Sequence, residues 1–243
     1  MTVYLVGAGP GAPDLLTVRA AELLKRCDVV VHDRLSGNAI LDLVPVTAIR
    51  VNVGKAPNAV PVSQDEINDL LVAYGRSHQV VVRLKGGDPF VFARGAEEAA
   101  ALRSEGVPFD VVPGISSALA APALAGIPVT VRNEVLNFTV VTGHQSDSGI
   151  SAANWEAIAA VGGTIVILMG AAHIGAIAER LIAGGLPGTT PVASVRWAST
   201  PQQDVVRTTL GQAHIAGIRS PATIVVGHVA DYDLLAAVAS TIH

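Results

Sequence analysis

The 243-residue sequence is poor in cysteine, lysine, aromatic residues and charge. Charged residues make up 15% of it and aromatic residues 4%, whereas a soluble domain usually carries about 25% charge. The single cysteine, Cys27, excludes an internal disulfide framework, and we interpret it as a small buried residue rather than a nucleophile. A net charge of −4 and the absence of basic runs predict no nucleic-acid partner. No two histidines have the spacing of a metal-binding helix, so no metal site is predicted.

Apolar residues, in contrast, make up half of the chain, and the mean hydropathy is +0.49. Two windows, Val111–Val131 and Ala157–Ala178, contain no Asp, Glu, Lys or Arg and have the length of about 20 residues that a bilayer span needs. Prolines and glycines interrupt the first window and glycines the second, so we predict loops, short helices and buried strands rather than membrane spans. No basic residue precedes the first apolar stretch, which predicts a cytoplasmic protein without a signal peptide.

Apolar runs that alternate with helical patterns predict an α/β fold with mostly parallel strands. The Pro/Gly-rich stretch Val112–Val131 is the best candidate for a boundary, and we predict two α/β domains, 1–113 and 114–243, with a ligand in the cleft between them. The predicted strands are Val3–Val6, Asp28–Asp33, Val80–Leu84, Asn137–Thr142, Thr164–Met169, Pro191–Arg196, Val205–Thr208 and Thr223–Gly227. Helices are predicted at Asp14–Arg26, after the Ser63–Glu66 capping box, and at Ala93–Ser104, Trp155–Ala160 and His173–Ala183.

The first strand runs into a glycine loop, Gly7-Ala8-Gly9-Pro10-Gly11-Ala12. Its spacing fits the dinucleotide fingerprint, with Asp33 near the distance expected for a ribose contact. Pro10 and Pro13, however, lack the amide donors that a phosphate cradle uses. The loop therefore fits a nucleotide-like ligand and a tight strand-to-helix turn about equally well. A nucleotide-dependent oxidoreductase is one hypothesis that it supports.

A second unusual segment, Lys85-Gly86-Gly87-Asp88-Pro89, follows the Val80–Leu84 strand. Ligands of open α/β sheets bind at the carboxyl ends of strands, glycines allow a ligand to lie against backbone, and the Asp88 carboxylate can accept hydrogen bonds. The same residues are also good turn formers. Composition favours neither the ligand site nor the plain turn.

Together the motifs resemble the tetrapyrrole methylase family over nearly the whole chain. The matching segments are Val6–Gly11, His32–Leu35, Val53–Lys55, Arg83–Phe92, Val111–Ser117, Ala125–Pro128, Val141–His144, Met169-Gly170, Thr200–Gln203 and Ser220–Ala222. The resemblance implies two α/β domains with S-adenosyl-L-methionine (SAM) in the cleft between them, S-adenosyl-L-homocysteine as product, no metal and a homodimer. The positions that match the family's cofactor contacts are Pro10, Gly86, Gly87, Asp88, Val91, Ser116, Ser117, Met169, Ala198 and Ala222.

The resemblance also implies an acid and a base. Asp33 and Lys55 align with the family's proposed proton acceptor and donor. Considered without the resemblance, Asp33 is equally a cap or turn residue, and Lys55 a solvated loop lysine.

The activity implied is C-methylation of the tetrapyrrole uroporphyrinogen III at C2 and C7, which gives precorrin-2 through precorrin-1. Such a polycarboxylate substrate suits bidentate arginines, and the candidates beside the motifs are Arg34, Arg94 and Arg132, each of which is otherwise a surface arginine. The chain departs from the family pattern at Ala56, Val60, Asn133 and Leu168. A later corrin precursor as acceptor and a non-catalytic SAM sensor are the alternatives within this resemblance.

Overall fold

The computed structural model describes residues 1–33, 38–54, 62–145, 149–150 and 152–236. The chain divides into two compact units, Met1–Ser116 and Ser117–His243. Each unit contains a five-stranded sheet with helices packed on it. The α/β class that the alternating pattern predicts is confirmed.

The sheet of the first unit is parallel throughout, with the strand order β3–β2–β4–β1–β5. Its strands are β1 (Thr2–Gly7), β2 (Val29–His32), β3 (Ile49–Asn52), β4 (Val80–Lys85) and β5 (Phe109–Val112). Because parallel strands end at the same edge, the segments that follow β1, β2, β4 and β5 meet there. This edge carries the glycine loop and the Gly-Gly-Asp-Pro segment.

Helices cover both faces of this sheet: α1 (Val18–Leu24) and α2 (Asn38–Leu41) on one, α3 (Gln64–Ser77) and α4 (Gly95–Ser104) on the other. Successive strand residues point to opposite faces, so Val30 packs with the first pair of helices while Val29 and Val31 pack with the second. Both sets are fully buried, which explains why β2 is a continuous apolar run rather than an alternating one.

The first helix begins later than the predicted Asp14. Pro13–Leu15 form a 3₁₀ turn, Leu16 is extended, and α1 begins at Val18, where the Thr17 hydroxyl accepts a hydrogen bond from the Ala20 amide at 3.2 Å. The structure thus separates the glycines from the helix N-terminus more than the sequence suggested.

The capping box that the sequence predicted at the start of α3 is present, and it supplies a test. The Ser63 hydroxyl accepts from the Glu66 amide at 3.2 Å, and the Glu66 carboxylate accepts from the Ser63 amide at 2.7 Å. We expect Ser63→Ala to lower the free energy of unfolding by about 1 kcal/mol. The backbone amide and the hydroxyl of Ser63 both lower the pKa of Glu66, the amide more strongly. Of these two hydrogen bonds, Ser63→Ala removes only the hydroxyl bond, at 2.8 Å. The part of the stability difference that comes from this bond is therefore present above pH 4.5 and is lost as the pH falls through the folded-state pKa of Glu66. Urea unfolding of both proteins at several pH values measures the difference in their free energies of unfolding. A difference that stays constant down to pH 2 contradicts the prediction.

The sheet of the second unit is mixed, in the order β11–β10–β12–β9–β6. Only the β6–β9 pair in it is parallel, so the prediction of mostly parallel strands is wrong for this unit. Spacing and apolar pattern identify strands but not their direction, which depends on how the connections cross the sheet. The strands are β6 (Phe138–Thr142), β9 (Thr164–Leu168), β10 (Pro191–Arg196), β11 (Asp204–Thr209) and β12 (Ala222–Val226), with a separate hairpin of β7 (His144–Gln145) and β8 (Gly149–Ile150).

The helices of this unit, α5 (Ser117–Leu124), α6 (Trp155–Val161) and α7 (Ile174–Ala183), pack on two faces of the sheet. Trp155 is fully buried between α7 and the strands. The two uncharged windows contain the end of β5 and all of α5 in the first and parts of α6 and α7 with β9 in the second, separated by loops and turns. No helix in the part of the chain that the structure describes is long and apolar enough to cross a membrane.

Cys27 follows α1 and lies in the core of the first unit, 3% exposed, where its thiol donates to the Leu24 carbonyl at 3.3 Å. Burial raises the pKa of the thiol to about 11. A thiol with this pKa is protonated at neutral pH, which confirms the interpretation of Cys27 as a packed core residue.

Candidate active site

Three glycines meet at the carboxyl edge of the first sheet, where β1, β4 and β5 end. A Cβ atom on Gly114 would lie 2.2 Å from the Gly87 carbonyl oxygen and 2.7 Å from the Gly7 Cα. A Cβ atom on Gly7 would lie 2.5 Å from the Gly114 Cα. Backbone therefore touches backbone here, and no side chain fits at either position.

The glycine loop is joined to the loop after β4 by backbone hydrogen bonds. Gly9 and Gly87 exchange two of them, at 3.1 and 2.8 Å, and the Ala8 amide donates to the Lys85 carbonyl at 2.7 Å. Gly9 lies at a φ of +66°. Because α1 begins only at Val18, no helix N-terminus opens at these glycines, and a dinucleotide fingerprint requires one.

Asp88 binds backbone with both oxygens of its carboxylate. Oδ1 accepts from the Phe90 amide at 2.9 Å, and Oδ2 accepts from the Gly114 amide at 3.1 Å. The turn that composition suggested is thus present, and Asp88 ties it to the segment after β5. Gly86, next to it, faces open space, because a Cβ atom there would meet no atom of the described residues within 4 Å.

A buried charge network lies beside this turn. The Arg83 guanidinium of β4 binds the Asp33 carboxylate at 2.7 Å, and it binds the Glu98 carboxylate of α4 at 2.9 Å. The Lys85 ammonium donates to the same Glu98 oxygen, Oε1, at 2.8 Å. The side chains of Arg83, Lys85 and Glu98 are at most 3% exposed, whereas that of Asp33 is 35% exposed.

Burial and the neighbouring Arg83 charge lower the pKa of Lys85, while Glu98 acts in the opposite direction. Two acids and two bases balance in this network, which allows ionic groups to be buried together. Asp33 alone of the four has substantial access to solvent. The arrangement therefore places the partly exposed Asp33 carboxylate at the edge of the sheet, where the buried Arg83 guanidinium binds it.

Sequence reasoning selected Asp33 but missed Arg83 and Glu98. The signal that could have found them is the strand Val80–Lys85, in which two basic residues interrupt an otherwise fully apolar run. A basic side chain in a buried strand requires an acidic partner.

Of the predicted substrate-binding arginines and the predicted proton donor Lys55, the structure describes Arg94 and Arg132. Arg34 and Lys55 lie outside the described residues, as do Ala56 and Val60. Arg94 forms a two-bond ion pair with Glu97, at 2.6 and 2.9 Å, which raises the pKa of the guanidinium. Arg132 is exposed in the turn that the Val131–Val135 bridge closes.

In the second unit, three predicted cofactor residues share one edge of the sheet. Met169 follows β9 and Ala198 follows β10, while Ala222 begins β12, which runs antiparallel to both strands. Met169 is 48% exposed and has a φ of +55°, a conformation that side chains rarely adopt. Such strained residues often line functional sites. Leu168, one of the departures from the family pattern, is buried at the end of β9.

The serine pair lies at the division between the two units. Ser116 ends the first unit, and Ser117 begins α5 in the second. The Ser117 carbonyl accepts a hydrogen bond from the Thr223 hydroxyl of β12 at 3.4 Å, which connects α5 to the strand that begins at Ala222. His144, which the sequence suggested as a turn residue, stacks on His173 with ring centroids 5.9 Å apart.

Comparison with known proteins gives one consistent family. Residues 2–214 match the family described as Tetrapyrrole (Corrin/Porphyrin) Methylases. The chain is 47% identical to an S-adenosyl-L-methionine-dependent uroporphyrinogen III methyltransferase of Methanosarcina barkeri, over 93% of this chain and 91% of that protein. It is 46% identical to a sirohaem synthase of Chromobacterium violaceum, but covers only 49% of that longer protein.

A solved structure agrees with these relatives. The uroporphyrin-III C-methyl transferase of Thermus thermophilus, complexed with S-adenyl homocysteine, has 40% sequence identity and a TM-score of 0.84, with 94% of this chain and 98% of that chain covered. The resemblance inferred from the motifs is thereby confirmed over nearly the full length of the sequence.

Proposed function

Because the chain belongs to the tetrapyrrole (corrin/porphyrin) methylase family, we propose that it is a SAM-dependent uroporphyrinogen-III C-methyltransferase. The observation that carries the proposal is the similarity to the Methanosarcina barkeri and Thermus thermophilus proteins over more than nine-tenths of this chain and of each of theirs. The reaction proposed in detail is methylation of uroporphyrinogen III at C2 and C7, which gives precorrin-2 through precorrin-1.

The carboxyl edge of the first sheet fits SAM, which has no phosphate. Pro10 and Pro13 remove two amide donors that a phosphate would need, and Gly86 leaves open space beside the Asp88 turn. We assign SAM binding to the residues that match the family's cofactor contacts: Pro10, Gly86, Gly87, Asp88, Val91 and Ser116 of the first unit and Ser117, Met169, Ala198 and Ala222 of the second. SAM supplies a methyl group that its sulfonium makes electrophilic.

The residues of the chain have two tasks in this reaction. They hold an electron-rich pyrrole carbon at reacting distance from the methyl group, which contributes through proximity and orientation. Methylation then leaves positive charge on the ring, and a proton has to be removed from it. Asp33 fits both needs, because its carboxylate is partly exposed and has one oxygen held by Arg83. Lys55 is the proposed proton donor, and Arg34, Arg94 and Arg132 are the proposed partners of the substrate carboxylates.

Asp33→Asn tests the role of the carboxylate. The substitution keeps the shape of the side chain and removes its charge, so we expect kcat to fall by about 10²–10⁴-fold, as for the loss of a general base. SAM affinity, measured by calorimetry, should change less than about 2-fold, since Asp33 is not among the proposed cofactor contacts. A variant with kcat within about 3-fold of the wild-type value contradicts the assignment.

The function itself is tested by anaerobic incubation of the purified protein with SAM and uroporphyrinogen III, with the product masses as readout. We expect a singly methylated intermediate followed by a doubly methylated product. Competition between uroporphyrinogen III and later corrin precursors identifies the preferred acceptor. If one of these precursors is methylated in preference, it is the substrate instead of uroporphyrinogen III. A protein that binds SAM but methylates none of these acceptors is a SAM sensor rather than an enzyme.

We also propose that the product enters sirohaem or cobalamin synthesis and that the protein acts as a cytoplasmic homodimer. The similarity to a sirohaem synthase supports the first pathway. Complementation of a sirohaem-requiring strain tests the pathway, and light scattering of the purified protein tests the assembly, where a monomeric mass contradicts the dimer.

A further inference from the structure

We propose that Arg83 is a positioning residue that orients the Asp33 carboxylate for the proton transfer, and that Glu98 in turn fixes Arg83. This inference rests on the proposed function, because it assigns Arg83 and Glu98 to the same step as Asp33. Neither residue is among the proposed cofactor or substrate contacts. Each is too deeply buried to act as an acid or base on a substrate.

The Arg83 guanidinium uses all three of its nitrogens. Nη2 donates to Asp33 Oδ1 at 2.7 Å, Nε donates to Glu98 Oε1 at 2.9 Å, and Nη1 donates to the Leu84 carbonyl at 3.3 Å. A planar group bound on three sides cannot rotate without breaking at least one bond. The backbone of Arg83 is also fixed, because Arg83 lies on β4, which is paired with β2 on one side and with β1 on the other.

Asp33 follows β2 directly, and its side chain is bound to Arg83. Its side chain is 35% exposed, and its Oδ2 atom has no hydrogen bond to any residue that the structure describes. The bond to Arg83 therefore selects one rotamer and assigns the two oxygens different tasks. Oδ1 is held by the guanidinium, and Oδ2 is left to interact with a substrate.

Glu98 is the buried anchor of the arrangement. Its Oε1 atom accepts from Arg83, from Lys85 at 2.8 Å and from Gln64 at 3.5 Å, while Oε2 has no hydrogen-bond partner among the described residues. Three donors on one oxygen place the negative charge of Glu98 against Arg83 and Lys85. A lysine at position 83 would keep the charge, but its single ammonium lacks the fork that reaches Asp33 and Glu98 together.

The alternative is that the charge network around Arg83 only stabilises the fold. The two roles differ in how substitutions combine. If Arg83 acts through Asp33, then Arg83→Lys should lower kcat only while Asp33 is present. If the network is merely structural, the loss from Arg83→Lys should be similar with and without the Asp33 carboxylate.

The test is a double-mutant cycle of Arg83→Lys and Asp33→Asn, with kcat for methyl transfer measured at saturating SAM. We expect Arg83→Lys to lower kcat about 100-fold, the loss typical of a misplaced reacting group. The double variant should have the kcat of Asp33→Asn alone, within about 3-fold, and the SAM dissociation constants of all three variants should stay within about 2-fold of the wild-type value. Arg76→Lys, in the exposed ion pair with Glu105, is the matched control and should leave kcat unchanged.

A readout without substrate accompanies the kinetics. Thermal unfolding of the unliganded variants shows whether each one folds. The effects of Arg83→Lys and Asp33→Asn on stability should be non-additive in the same cycle, because the two side chains are in direct contact. If Arg83→Lys does not fold, Glu98→Gln takes its place. It should lower kcat about 10-fold in the wild-type background and have no further effect beside Asp33→Asn.

The outcomes separate the two proposals. Multiplicative losses in the cycle, or an Arg83→Lys variant with kcat within about 3-fold of wild type, overturn the positioning role while the methyltransferase function stands. A wild-type protein that methylates no tetrapyrrole refutes the proposed function, and the positioning role is refuted with it.

Discussion

Replacing Glu98 by alanine is expected to lower the free energy of unfolding by about 3–5 kcal/mol, the cost of breaking a buried ion pair. Glu98 is fully buried and is the acid that Arg83 and Lys85 share. Among the described residues, its removal leaves Asp33 as the remaining acid of the network, and the Asp33 carboxylate is bound to Arg83 rather than to Lys85. Urea unfolding monitored by circular dichroism measures the effect.

The Glu98→Ala deficit should also depend on pH. In the wild-type protein, burial and Arg83 lower the pKa of Lys85 below its ordinary 10.5, and Glu98 counteracts this. Without Glu98 the folded-state pKa falls further, so the native protein loses this proton at a lower pH than the unfolded chain does. Between the two pKa values the unfolded chain binds more protons, and stability therefore rises with pH. We expect the variant to recover part of its stability as the pH rises towards 10.

Glu105→Ala is the matched control for this experiment. Glu105 pairs with Arg76 on the surface, where both side chains are more than half exposed. Exposed pairs contribute less than about 1 kcal/mol, so the control should change stability by no more than that and without the recovery at high pH. Equal losses for Glu98→Ala and Glu105→Ala contradict the buried network.

Gly114→Ala is the second substitution with a large expected effect. The added Cβ would lie 2.2 Å from the Gly87 carbonyl oxygen and 2.7 Å from the Gly7 Cα, so the loops after β1, β4 and β5 have to separate. We expect a loss of about 3 kcal/mol in the free energy of unfolding, at the upper end of overpacking costs. SAM binding should be lost as well, because the displaced backbone carries the Gly86-Gly87-Asp88 turn.

Two further glycines distinguish packing from ligand binding. Gly188→Ala adds a Cβ in open space on the surface and should alter neither stability nor SAM affinity. Gly86→Ala also meets no atom of the described residues, so it should be as stable as the wild-type protein. If Gly86 borders the SAM site, this variant should nevertheless bind SAM at least about 10-fold more weakly, the cost of roughly 1.4 kcal/mol. Unchanged SAM affinity in Gly86→Ala contradicts its assignment as a cofactor residue.

The sequence was most informative where one local pattern determines the structure. The capping box at Ser63 and Glu66 predicted the start of α3, and the valine-rich run predicted β4. The start of α1 was predicted less accurately, because Pro13–Leu15 form a 3₁₀ turn, Leu16 is extended, and Thr17 caps the helix. In the second unit, apolar runs located the strands but could not give their direction.

The candidate active site was only partly predictable for a related reason. Asp33 was found because a family motif includes it. Its partner Arg83 is 50 residues away and Glu98 is 15 residues beyond Arg83, so their pairing depends on how β2, β4 and α4 pack. Asp88 is a second example. Composition suggested either a turn or a ligand contact, and the structure shows the turn, in which the Asp88 carboxylate accepts from the backbone amides of Phe90 and Gly114.

Transfer of a labelled methyl group from SAM to the tetrapyrrole is the decisive test of the proposed function. Purified protein is incubated without oxygen with SAM that carries a ¹³C-methyl group and with uroporphyrinogen III, and the product is analysed by mass spectrometry and NMR. We predict two labelled methyl groups on the macrocycle, at C2 and C7, together with S-adenosyl-L-homocysteine in equal amount to the methyl groups transferred. A protein that binds SAM but leaves uroporphyrinogen III unlabelled contradicts the account.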